Sequence, residues 1–298
     1  MPGSDGSQGV VGDLGWPGVR LPVDVPRSTL PTDGVPIRPA ATVVLVDDRP
    51  DLHVLALRRT DASTFVAGHT LFPGGAVDDG DHDDRWPDLV VTPSDESSTL
   101  ADPLALRVAA VRETIEEVGI ALGVDDPTLA RALVARRRDL EADRVDLADL
   151  LVAAGPAGAA PLDLTVLHPM ARWITPMPSN KRYDAAFFLA RCPAGAEPVV
   201  DGREAVHAEW MRPADALARW EAGELTMISP TVGVFQRLAG HGDAASAMAA
   251  AAAGTPARQA SVLDESTDRV RFEGDEGLDD PGRRLTMGWV WLDPGSVA

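Results

Sequence analysis

The chain has 298 residues, 45% of them hydrophobic and 24% charged, with a formal net charge of −19. Such a length and balance give a globular protein with a real core and exclude a wholly disordered chain, while the acidity, with no basic stripe, excludes a general nucleic-acid binder. One cysteine, Cys192, permits no intrachain disulfide and reads as a small buried hydrophobe, and six scattered histidines without an HxxxH pair offer no thiolate or imidazole zinc site.

Residues 1–36, rich in Gly, Pro, Ser and Asp, read as a flexible N-terminal tail. The Val-rich run Ala41–Val46 predicts a strand and Val54–Leu57 a second; Asp47, Asp48, Pro50 and Asp51 between them supply turn chemistry, so the two form a hairpin. A third extended piece leads into Leu71-Phe72-Pro73-Gly74-Gly75, and the polar, acidic residues 76–101 read as an irregular loop. A helix is predicted from Pro103, with Asp102 as N-cap, to Gly119 at its C-terminal end. Two more helical stretches follow in 127–154, broken near Glu141–Asp146, then strand-like runs at Thr165–Ile174, Ala185–Ala190 and Glu209–Met211, with helices at Pro213–Ala222 and Thr231–Ala239. Beyond 241 the character changes: Ala244–Ala253 suits a helix or a linker, and one apolar run remains at Met287–Leu292. No apolar run approaches a membrane span, and the first residues lack a basic-then-apolar leader, so a cytoplasmic protein without a membrane partner is expected. The sequence leaves a homodimer open.

Chemistry concentrates on the helix at 102–118. Leu104, Val108, Val111, Ile115 and Val118 make an apolar stripe at alternating spacings of four and three, and Glu113, Glu116 and Glu117 fall together roughly opposite it. A plain solvated acidic face is the ordinary outcome of such a pattern. Against it, Glu113 and Glu117 are a like-charge i,i+4 pair that costs roughly 0.2–0.5 kcal/mol, and three carboxylates near a helix C-terminus oppose its dipole. A divalent cation would reverse both penalties, and an oxygen-only donor set suits a hard ion such as Mg²⁺ or Mn²⁺.

Arg112-Glu113-Thr114-Ile115-Glu116-Glu117-Val118-Gly119-Ile120 resembles the second half of the Nudix box, and Phe72-Pro73-Gly74-Gly75 resembles its first half. Asp81 stands where the family has a glutamate. Thirty residues then separate Asp81 from Arg112, far more than the family's usual gap, so the motif is split by an insertion over 82–101. The layout of Val54–Asp81, with Arg58, Arg59 and Phe65, resembles a split-box branch that includes coenzyme A diphosphatases, as does Trp173-Ile174-Thr175-Pro176 followed by Arg182-Tyr183-Asp184 and Phe187-Phe188. The resemblance spans roughly 37–240, leaving 241–298 as a C-terminal extension.

It implies an α/β fold, the Nudix-type α/β/α sandwich with a mixed sheet, and metal-dependent hydrolysis of a phosphoanhydride in a small-molecule nucleoside diphosphate linked to another moiety. Coenzyme A or acyl-CoA is the first choice; an ADP-ribose or nucleotide-sugar pyrophosphatase is the alternative, and a catalytically silent nucleotide sensor an alternative of another class. Glu113, Glu116, Glu117 and the Gly74 carbonyl are implied metal ligands, and Arg112 is implied to hold the carboxylates. The family's further base, drawn from a loop before a late strand, points to Glu204 ahead of Glu209, with Glu116 as the box candidate. Arg58, Arg59, Lys181 and Arg182 are candidates to grip phosphate, against the ordinary outcome of strand-end surface charges. The insertion is expected to be a surface loop near the site that tunes substrate choice.

Overall fold

The computed structural model describes residues 34–60, 68–94, 100, 102–154, 160–175, 181–200, 202–203 and 205–253, together with the backbone of five strands at 11–13, 20–22, 257–262, 270–272 and 285–291. In chain order, β1 (Val11–Asp13) and β2 (Arg20–Pro22) pair as a small antiparallel sheet inside the stretch expected to be a tail. β3 (Ile37–Asp48) and β4 (Leu52–Arg59) form the expected hairpin, joined only near the turn, where Val46–Asp48 face Leu52–Val54. Beyond it the two strands splay. The gap is filled by β5 (Thr70–Leu71), paired with β4, and β6 (Gly74–Ala76), paired with β3. The Phe-Pro-Gly-Gly run is thus a wedge within the sheet, and Pro73 between its strands accepts a 2.8 Å bond from the Val43 amide.

The segment expected to be an irregular loop is partly built. It holds a 3₁₀ turn at Asp79–His82, α1 (Trp86–Leu89) and β7 (Val90–Val91). α2 (Pro103–Val118) follows with the predicted ends: Asp102 accepts from the Ala105 amide at 3.1 Å, and Gly119 turns the chain at φ 67°. α3 (Pro127–Ala135), α4 (Arg137–Leu140), α5 (Leu147–Ala154), β8 (Leu162–Asp163), β9 (His168–Ile174), β10 (Arg182–Arg191) and β11 (Ala205–Met211) come next. α6 (Pro213–Glu221), α7 (Ser229–Leu238) and α8 (Ala244–Ala252) precede β12 (Ala257–Val262), β13 (Val270–Phe272) and β14 (Leu285–Trp291).

The main sheet runs β11-β4-β3-β10-β9-β14-β12-β13 and is mixed: β10 lies parallel to β3, while its other neighbour β9 is antiparallel. Alternate residues of each strand feed two cores. On one face Ala41, Val43, Leu45, Leu55, Leu57, Ala186 and Phe188 pack with α2 and the α3–α5 helices; on the other Val44, Val46, Val54, Ala56, Phe187 and Leu189 pack with α6, α7 and α8. The result is an α/β/α sandwich. α8, expected as helix or linker, buries Ala244, Ala247 and Ala251 in the second core, and β14 pairs with β9, so the stretch after 241 extends the same sheet. Among the described residues, no helix is long and apolar enough to cross a membrane.

Candidate active site

The apolar stripe of α2 lies where its periodicity puts it, with Val108, Val111, Ile115 and Val118 fully buried. Glu116 and Glu117 are only 8% and 6% exposed, because β6 and the 3₁₀ turn cover them. The carboxylates therefore sit in a crevice rather than on a solvated face, and each is committed to a partner.

Glu117 Oε2 accepts from the Gly74 amide at 2.9 Å, joining the helix half of the motif to the turn half. The two glycines are required by space. A Cβ at Gly74 would meet the backbone of Ala41 and Thr42, and one at Gly75 would enter the Glu113 carboxylate. Arg112 is the hub. Its Nε and one terminal nitrogen donate to the two oxygens of Asp81 at 3.0 and 2.9 Å; the same terminal nitrogen reaches the Ala76 carbonyl at 2.9 Å. The other terminal nitrogen bonds Glu113 at 2.9 Å and, at 3.4 Å, Glu116. Asp81 is 2% exposed and receives a third bond, 2.9 Å from the Asp78 amide.

Crowding sets the electrostatics. Burial, then the Asp81 and Asp78 charges, push the Glu113 carboxyl up to about 7 against the pull of Arg112. Burial, then the neighbouring Glu113 charge, push Glu116 up to about 8, again against Arg112. Burial opposes the Arg112 charge, but Asp81, Glu113 and Glu116 outweigh it and raise its pKa further. Without a cation, this cluster favours holding protons at neutral pH.

An oxygen-only donor set of three glutamates and a glycine turn with no room for a Cβ fits a hard divalent ion. Among the described residues no three acidic, His or Cys side chains already stand together at metal-binding separation. In their place the carboxylates are held by Arg112 and Gly74.

The sheet separates several other candidates. Arg58 pairs with His207 and Ala56 with Glu209, and partners across an antiparallel ladder face the same way, so Arg58 and Glu209 lie on the α6 side. There they line a cleft of roughly 250 Å³ with Arg219, which donates to Glu209 at 2.9 Å. Glu209 therefore faces away from α2, and Arg58 lies on the same side of the sheet as Glu209. Arg59 shares the α2 side with Leu57, and Arg182 does so with Ala186 and Phe188; Arg182 Nε donates to the Thr175 carbonyl at 2.9 Å. Lys181 is exposed at the start of β10. Glu204, the first choice as base, lies outside the described residues. Trp173, Phe187 and Phe188 are core residues, and burial raises the Cys192 thiol to about 11.

The insertion is not the expected plain surface loop. Trp86 is 1% exposed, and Leu89 and Val90 join the α2-side core. The burial of Trp86 was missed by sequence reasoning; the visible trace was an apolar island, Trp86-Pro87-Asp88-Leu89-Val90-Val91, inside an acidic stretch.

Comparison with known proteins gives this geometry its context. A solved structure of a Nudix hydrolase from Alicyclobacillus acidocaldarius superposes with a TM-score of 0.61 at 32% identity, covering 73% of this chain and 97% of that one. The chain belongs to the Nudix hydrolase family. Within the family, the NUDT19 Nudix domain model matches residues 91–238, beginning after the Phe-Pro-Gly-Gly half of the split Nudix box. Acyl-coenzyme A diphosphatase NUDT19 of Homo sapiens is 27% identical over 229 residues, 62% of this chain and 60% of the relative; the Xenopus laevis protein is 24% identical over 230 residues, 63% and 60%. This Nudix chain therefore spans about 60% of the length of those curated relatives.

Proposed function

We propose that the protein is a metal-dependent hydrolase that splits the diphosphate of coenzyme A or an acyl-CoA. One observation carries the reading. Glu113, Glu116 and Glu117 face a glycine turn on one helix, and Arg112 and Gly74 hold all three. The substrate class follows the names of the NUDT19 relatives.

In this reading Glu113, Glu116, Glu117 and the Gly74 carbonyl would hold Mg²⁺ or Mn²⁺. When bound, such an ion neutralises diphosphate charge and acidifies water. Arg112 orients Glu113 and Glu116 through charge-assisted hydrogen bonds and favours their ionised forms against burial. Arg59, Lys181 and Arg182 are candidates to take phosphate oxygens. Glu204, the residue before β11 in sequence, takes the proton of the attacking water, with Glu116 as the box alternative.

The test is a substrate panel: coenzyme A, an acyl-CoA, ADP-ribose and a nucleotide sugar, each with Mg²⁺, Mn²⁺ or a chelator. Cleavage of the CoA compounds at the diphosphate is expected, lost in chelator and restored by either metal. Full rates in chelator refute the metal. Cleavage of ADP-ribose or the sugar alone moves the substrate, and binding without turnover makes the protein a nucleotide sensor.

A further inference from the structure

The residue that holds Arg112 is an aspartate at a position where the motif otherwise carries glutamate, so its carboxylate reaches less far by one C–C bond, roughly 1.5 Å. Yet all of its bonds are short: both oxygens take a nitrogen of Arg112 at 3.0 and 2.9 Å, and one also takes the Asp78 amide at 2.9 Å. A paired contact of this kind demands that the backbone beneath it be placed accurately, because two parallel bonds fix direction as well as distance. The reach missing from the side chain has to come from the main chain.

The main chain at Asp81 is held by the insertion itself. Trp86 enters the α2-side core, 1% exposed, and its indole N–H donates at 2.9 Å to the carbonyl of Gly80, the residue before Asp81. Any large apolar side chain would fill that part of the core; the directed bond to Gly80 is what an indole adds. The insertion is tied down on its other side as well. Arg85 bridges Asp83 and Asp149 of α5, and β7 pairs with β8. On the far side of the turn, a Cβ at Gly80 would come within 3.0 Å of Asp146 Oδ1, so the turn lies close against the start of α5.

We propose that Trp86 is a positioning residue for the active site. The segment that splits the motif folds back as a strut, and the chain Trp86–Gly80–Asp81–Arg112 sets the place of Glu113 and Glu116. The proposal rests on the Nudix reading of the carboxylates but not on the choice of substrate.

Three variants test it: Trp86→Phe, Asp81→Glu and the pair. The first keeps the ring and removes the N–H. Each is measured by melting temperature, by hydrogen exchange of the Arg112 Nε–H signal in NMR, and by kcat and KM for coenzyme A with Mg²⁺. For Trp86→Phe, exchange at Arg112 should speed up and kcat should fall, each by about tenfold, with KM within about twofold, as for a lost positioning contact. Asp81→Glu alone should also lose kcat, since a 2% exposed site has no room for another methylene. The pair should recover part of both losses, because the longer side chain follows a turn that has receded. Trp86→Phe with wild-type exchange and kcat, or a pair whose losses multiply without recovery, overturns the strut and leaves Trp86 as core filling. If the wild type does not cleave coenzyme A, the proposed function fails, while the exchange measurement still decides the strut.

Discussion

Glu116→Gln is expected to stabilise the metal-free protein, and to do so only above acid pH. Burial beside Glu113 raises the Glu116 carboxyl from 4.5 to about 8. A group whose folded pKa exceeds its unfolded value holds its proton better in the native state. Native stability is therefore undiminished below about pH 4.5 and falls as pH climbs through the window up to about 8. At ~1.36 kcal/mol per pH unit, that gap sets a ceiling near ~5 kcal/mol. Because Glu113 shares the repulsion and the native site relaxes, a gain of ~2–4 kcal/mol at pH 8 is expected, shrinking to under ~1 kcal/mol at pH 5. Glutamine imitates the protonated acid, and its carbonyl oxygen keeps the 3.4 Å bond from Arg112. Urea denaturation of both proteins in chelator, from pH 5 to 8, reads the difference directly. A gain that does not change with pH, or a loss at pH 8, refutes the account of crowded, proton-holding carboxylates. Adding Mg²⁺ at pH 8 should stabilise the wild type more than the variant, since the cation relieves a repulsion the variant no longer has.

Ile115→Ala, at a fully buried position on the other side of the same helix, should cost ~2–5 kcal/mol in the same denaturation assay, through the cavity it leaves. Gly75→Ala should cut kcat by roughly 10²-fold or more, because its Cβ takes the space of the Glu113 carboxylate. Glu209→Gln should leave kcat within about twofold, since it pairs with Arg219 on the opposite face of the sheet, whereas Glu204→Gln should lower kcat by about 10²-fold with little change in KM if it is the base. Steady-state rates across pH distinguish the pair.

How much of this was legible in the sequence depended on how local the causes were. The ends of α2 were readable because Asp102, Pro103 and Gly119 fix them through chemistry within a few residues. Its apolar stripe was readable because a helix repeats. The hairpin of β3 and β4 followed from two Val-rich runs and a turn, but the wedge of β5 and β6 did not: strands of two and three residues exist only because the longer strands splay around them. The burial of Glu116 and Glu117 was hidden for the same reason, since the covering residues come from elsewhere in the chain. Whether Arg58 and Glu209 faced the site was a question of strand register, where a slip of one residue reverses every side chain. Trp86 was visible as a residue and invisible as a support, because its partner, Gly80, contributes only a carbonyl.

The wedge also makes the junction of β3 and β4 a seam. Its hydrogen bonds, from the Val43 amide to Pro73, from Arg59 to His69 and from Thr70 to Thr226, are separate from those that close the β3–β4 hairpin. A short stretch of chain can thus detach while the hairpin stays paired, and such sub-global openings occur at lower free energy than unfolding the whole domain. Opening the seam withdraws the Gly74 amide from Glu117, so the amides of Val43 and Thr70 would exchange with solvent together whenever the active site comes apart. The junction of β3 and β4 is then where native-state breathing and catalytic integrity meet.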